Sequence, residues 1–180
     1  MPNFKGLTDA VYRAVTGRSR ASEGRTTKEK AEWLIKTHGS VKAAAGEAQV
    51  SYETMRRWAK GDQEAKNTAR SANADKLARA ERTARITKAG ANRVLNSVGK
   101  DYGSGEGLRI KATVTISNDR RADRIIKPGE SLPADAMEQV LHTFQEEGPE
   151  AAAQELQDLL DVYYFKGGRA TIEDITDIAW

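Results

Sequence analysis

The sequence predicts a mainly α protein with a small β element. An N-terminal helix-turn-helix domain is followed by a long linking helix and a C-terminal α+β domain, the last built from a helical hairpin and a two-stranded sheet. Three observations carry this expectation. Residues 40–61, SVKAAAGEAQVSYETMRRWAKG, combine small residues with an apolar row at helical spacing. Residues 108–116, LRIKATVTI, alternate apolar and polar side chains as a half-buried strand does. Residues 133–165 hold two helical apolar patterns separated by Gly148-Pro149. The expected divisions are residues 1–25 (helix and basic linker), 26–61 (helix-turn-helix), 62–100 (basic linking helix) and 101–180 (α+β domain).

Charge separates the chain into two parts. Residues 1–129 hold 27 Lys/Arg and 14 Asp/Glu, a net charge of +13. Residues 130–180 hold 2 basic and 12 acidic residues, a net charge of −10. A basic front suits phosphate neutralisation, and an acidic back suits a protein partner or packing surface. The plainer reading is that both serve solubility. Cysteine is absent, which excludes disulfide and thiolate chemistry, and two histidines, His38 and His142, make a His-based metal site improbable. No stretch approaches the roughly 20 apolar residues that span a bilayer, and the N-terminus has no apolar signal core. The expectation is a cytoplasmic, nucleoid-associated protein with no membrane partner.

Leu7, Val11 and Val15 recur at four-residue spacing and predict a short amphipathic helix ended by Gly17. Residues 18–25, RSRASEGR, read as a flexible basic linker. Thr26 with Glu29 forms a capping-box pattern opening a helix over 27–38, which Gly39 stops. Trp33 and Leu34 point inward there. Trp33 and Trp58 are read as core anchors rather than base-stacking groups.

In residues 40–61, Ala44, Ala45 and Ala48 permit close helix approach, and Val50, Met55 and Trp58 form the apolar row. Ser51 is placed to N-cap the second helix. Tyr52, Glu53, Arg56, Arg57 and Lys60 then face outward, as the residues of a helix entering the DNA major groove do. An ordinary helical hairpin fits the apolar spacing equally well but leaves the basic outward face unexplained. The turn position that needs φ > 0 falls on Gln49, where a residue other than glycine costs about 1 kcal/mol.

Residues 62–98 are alanine-rich and basic, with Asp75–Arg79 and Glu81–Arg85 as i,i+4 pairs. They predict one long helix, or two broken near Gly90. Residues 101–107, with three glycines, mark a boundary. In the strand that follows, Leu108, Ile110, Ala112, Val114 and Ile116 face inward and Arg109, Lys111, Thr113 and Thr115 outward. Ser117 and the turn residues Asn118-Asp119 come next, then Arg120, Arg121 and Arg124. Met137, Val140, Leu141 and Phe144, then Ala152, Leu156, Leu159, Leu160 and Tyr163, supply the inner faces of two antiparallel acidic helices. The tail, 170–180, is expected to pair with 108–116, since a lone strand leaves backbone groups unpaired.

The segments KAAAGEAQVSYETMRRWAKG and YYFKGGRATIEDITDIAW, with the threonine-containing stretch followed by arginines between them, resemble the Streptomyces-type terminal proteins of linear chromosomes and plasmids. Gln49 departs from the usual glycine of a helix-turn-helix. The resemblance implies a protein that binds a telomere's single-stranded overhang or folded-back end, caps the 5′ end, and primes end-patching synthesis through a side-chain hydroxyl. It implies a nucleotide acceptor rather than an enzyme. No cofactor of its own is implied, the divalent metal and deoxynucleotide arriving with a partner DNA polymerase; an accessory telomere-binding protein is a further implied partner. Thr113 and Thr115 are the acceptor candidates, with Ser117 in reserve and Tyr102 and Ser104 behind it. Lys111, Arg120, Arg121 and Arg124 are the candidates to neutralise phosphates. Plain β-propensity accounts for the threonines equally well. The competing reading is a plasmid- or phage-type transcription or replication regulator that reads a palindrome and forms a homodimer through its acidic part. An enzyme is the weakest reading, with no P-loop, GxSxG or HExxH present.

Overall fold

The Thr26 side chain accepts from the Glu29 backbone N–H while the Glu29 carboxylate accepts from that of Thr26, so the expected capping box opens α2 (Thr27–His38). Gly39, at φ 76°, closes it. The computed structural model describes residues 5–24, 26–99, 107–116, 118–168 and 170–180. They fall into two compact units. One comprises 21–86, and the other joins 1–20 to 87–180.

In the 21–86 unit, α2 packs against α3 (Val41–Glu47) and α4 (Tyr52–Lys60). Ser40 caps α3 by accepting from the Ala43 N–H, and Ser51 caps α4 by accepting from that of Thr54. Between them Gln49 takes φ 52°, and the Val50 N–H reaches back to the Ala45 carbonyl at 3.0 Å. The left-handed turn therefore forms on a non-glycine residue. Its core gathers Ala31, Leu34, Ala44, Ala45, Ala48, Met55 and Trp58 with Leu77 and Ala80. The alanines have no side chain beyond Cβ, which lets the helices approach around the fully buried Trp58. Trp33 is only half-buried and lies under the Arg85 guanidinium, 4.3 Å from its ring centroid.

Of the two readings of residues 62–100, the single long helix does not form and the broken one does, from residue 73 onward. Residues 67–72 make a small hairpin, β1 (Asn67–Thr68) with β2 (Ser71–Ala72), and α5 (Asn73–Arg85) then packs on α2. The helical run ends at Ile86, which is extended, and Thr87 caps α6 (Lys88–Leu95) by accepting from the Gly90 N–H. The break thus sits four residues before Gly90. That glycine serves a close approach instead: a Cβ there would lie 2.1 Å from the Val15 carbonyl oxygen. Residues 18–24 also depart from a flexible linker. A 3-10 turn covers Arg20–Ser22, Arg20 pairs with Glu150, and the Gly24 N–H donates to Glu81 at 3.0 Å.

In the other unit, α1 (Lys5–Thr16) buries Leu7, Val11, Tyr12 and Val15 against α6 and α8 (Pro149–Leu159). Helix α7 (Ala136–Glu146) forms the expected antiparallel pair with α8, and the Tyr12 and Phe144 rings meet at 6.0 Å. Leu160–Tyr164 continue α8 as a single π turn. The sheet has three strands rather than two, in the order β4-β3-β5 and antiparallel throughout. Strand β3 (Arg109–Ile116) is central, and β5 (Ala170–Ala179) is the expected tail strand. The addition is β4 (Asp119–Ile126), exposed along all but its last residue. Its sequence DRRADRII has no alternation to reveal it, because an edge strand is held by backbone pairing rather than by burying one face.

Candidate nucleic-acid interface and acceptor strand

Helix α4 sorts its side chains cleanly. Met55 and Trp58 are buried, while Ser51, Tyr52, Glu53, Arg56, Arg57 and Lys60 are exposed, Tyr52 at 54%. All six predicted DNA-binding residues thus lie on the surface beside one another. Glu53 stands 3.5 Å from the Arg56 Nη1 and 3.5 Å from the Arg57 Nε. Exposed pairs of this kind contribute under about 1 kcal/mol and are readily exchanged for phosphate contacts. The helix face continues into an open concavity of about 430 Å³ bounded by Arg56, Arg57, Lys60, Asp62 and Gln63.

The acceptor candidates do not share one environment. Thr115 is half-buried and lies across from Arg120 on β4 and Thr171 on β5. Thr113, expected to face outward in the open, is 7% exposed. Bulges flank it on both sides: the register slips between Ala112 and Val114 against β4, and between Lys111 and Thr113 against β5. Asp123 and Asp174 take positive φ there, at 52° and 46°. Bulges bend and twist the strands that carry them, and strict alternation along β3 therefore does not predict exposure at Thr113. Ser117, Tyr102 and Ser104 lie outside the described residues.

Three of the four sheet cations predicted to neutralise phosphates lie against carboxylates. Lys111 lies 3.6 Å from Asp123, Arg120 3.5 Å from Glu173 and 3.4 Å from Asp174, and Arg121 2.6 Å from Asp119. Arg121 donates to Asp119 and holds its carboxyl below the usual aspartate range, with Arg124 adding to the effect. Sequence reasoning listed the cations without these partners, because the pairing follows from β4 and the two bulges. Among the described residues no cluster of three His, Cys, Asp or Glu side chains is placed to hold a metal, and no helix is long and apolar enough to cross a membrane.

Comparison with protein-family models, curated proteins and solved structures returns no match.

Proposed function

We propose that this chain is a DNA-binding terminal protein of a linear replicon, capping telomere 5′ ends and offering a side-chain hydroxyl as primer to a partner DNA polymerase. The observation that carries the DNA-binding half is α4: Tyr52, Arg56, Arg57 and Lys60 are exposed along a helix whose opposite side is anchored by the buried Met55 and Trp58. The priming half rests on the sequence resemblance and on Thr115, the more accessible of the two described candidates. The Thr115 hydroxyl would attack the α-phosphorus of a deoxynucleotide. A new P–O bond forms, the α–β phosphoanhydride bond breaks, pyrophosphate leaves, and the hydroxyl proton passes to the polymerase site or water. Divalent metal and nucleotide come with the polymerase. Telomeric DNA, that polymerase and an accessory telomere-binding protein are the partners.

Incubation with labelled deoxynucleotide, a cognate polymerase and telomeric template tests this reading. Label should remain on the protein after boiling in detergent and be lost in Thr115→Ala. Retained label in Thr115→Ala would remove Thr115 as acceptor, and absence of label on the intact chain would remove the priming reading.

A second reading is a helix-turn-helix regulator that dimerises through its acidic part. The carboxylate matched to each of Lys111, Arg120 and Arg121 favours it, since those cations are already neutralised. It predicts tight binding to a palindrome with half-sites one helical turn apart and no nucleotide transfer.

A further inference from the structure

We infer that the β1–β2 hairpin is a second DNA-contacting element, its Lys66 and Arg70 holding the sugar-phosphate backbone beside the groove that α4 enters. The inference rests on the DNA-binding reading of α4 and extends it to residues outside that helix. A two-rung hairpin is too small to be stable in water by itself, and this one is clamped at its base. The Asp62 N–H donates to the Arg57 carbonyl at 3.0 Å, which ties the connection to the last turn of α4. The Thr27 hydroxyl donates to Glu64 and accepts from the Ala65 N–H, fastening the same connection to the start of α2. On the far side the Asn67 side-chain oxygen accepts from the Ala74 and Asp75 N–H groups, capping α5 with a residue of the hairpin. At the tip the Arg70 N–H donates to the Thr68 hydroxyl at 3.3 Å.

These fastenings hold out a turn with almost nothing to bury. Lys66, Asn67, Thr68, Ala69 and Arg70 are all exposed, so packing does not account for the effort spent in positioning them. Placement and charge do. The concavity on the outward face of α4 is lined by Glu53, Arg56, Arg57 and Lys60 of that helix and, beyond its end, by Asp62 and Gln63. Those last two residues lead directly into Lys66 and the hairpin. A duplex seated on the arginines therefore has its flanking backbone next to the hairpin, where a cation at the tip meets phosphate. Glu64, the acid nearest Lys66 in sequence, is turned to Thr27.

The test measures binding of the full chain to duplex DNA as a function of salt. Arg70→Ala should weaken binding several-fold equally across sequences and lower the slope of log K against log salt by about one. Lys66→Ala should do the same, Arg70→Lys should restore the slope, and the thermal melting curve should be unchanged in each. If Arg56→Ala and Arg57→Ala weaken binding while Arg70→Ala and Lys66→Ala leave affinity and slope as they were, the hairpin is not a contact and the reading of α4 stands. A changed base preference in Arg70→Ala would overturn the assignment to phosphate. Failure of the unaltered chain to bind duplex at any salt would overturn both.

Discussion

Glu81 and Arg85 are buried together on one face of α5, at 1% and 4% exposure, with the carboxylate 2.7 Å from the guanidinium Nη2. The sequence spacing presents them as an ordinary surface i,i+4 pair. Burial makes them a hub: Glu81 also accepts from the Gly24 N–H at 3.0 Å and has Lys30 at 3.8 Å, while Arg85 lies over Trp33. Removing Glu81 leaves the buried Arg85 guanidinium without its carboxylate, and removing Arg85 leaves the buried Glu81 with only Lys30 and the Gly24 N–H. Arg85→Ala and Glu81→Ala should each destabilise the 21–86 unit by about 3–5 kcal/mol, read by urea unfolding. A loss under 1 kcal/mol in both would show that the pair is not desolvated in solution.

Gln49 carries the turn of the helix-turn-helix at φ 52° with its side chain exposed. Gln49→Gly relieves the left-handed strain and gives back part of that gain as chain entropy, a net stabilisation of up to about 1 kcal/mol. Gln49→Val, β-branched and stiff, should destabilise instead. Thermal melts of the two variants should shift in opposite directions around the parent.

Glu53 holds both arginines of α4 within 3.5 Å. Arg56→Ala and Arg57→Ala should weaken DNA binding by about 1–3 kcal/mol with relaxed sequence preference if a base is read, or uniformly with a shallower salt slope if a phosphate is touched. Glu53→Gln, which removes a competing carboxylate from the same face, should raise affinity at low salt. Electrophoretic mobility shifts with duplex and folded-back telomeric DNA distinguish these outcomes. Unchanged affinity in both arginine variants would rule out α4 as the recognition face.

Asp161 titrates in the direction opposite to Asp119. Burial lifts its carboxyl above the ordinary value of 3.8, against the Gln157 amide that donates to it at 3.0 Å. The folded state then binds more protons than the unfolded state, so this group favours folding at low pH, and that contribution falls as pH rises from 3.8 through the folded value. Asp161→Asn should remove this component, so that stability falls more steeply as pH drops along the acid limb of the stability curve, measured by chemical unfolding at a series of pH values. An identical limb in the variant would contradict the burial of the carboxyl.

Much of the fold is legible in local chemistry. The capping box at Thr26, the stop at Gly39, the serine cap at Ser51 and most of the inward rows of α1, α4, α7 and α8 depend on residues within one or two helical turns of each other, although Tyr163, expected inward, is 44% exposed. The exposed face of α4 follows from the same periodicity, which is why its six residues could be named in advance. The pairing of the tail with β3 was legible for a different reason, because an amphipathic strand requires a partner for its backbone.

Tertiary structure decided what local periodicity cannot encode. Strand β4 exists because β3 offers it backbone partners, not because DRRADRII repeats anything. Thr113 is buried where bulges on both neighbours change the path of the sheet, and Arg120 of β4 meets carboxylates more than 50 residues away in the chain, Glu173 and Asp174. The same holds for α1, which groups with residues beyond 87 although it precedes the helix-turn-helix in sequence. Sequence by itself determined most of the helices, several of their caps and the basic outward face of α4, since those are set by interactions over three or four residues. Which polar groups became buried, paired or presented was decided by the fold, since each depends on what distant parts of the chain bring against them.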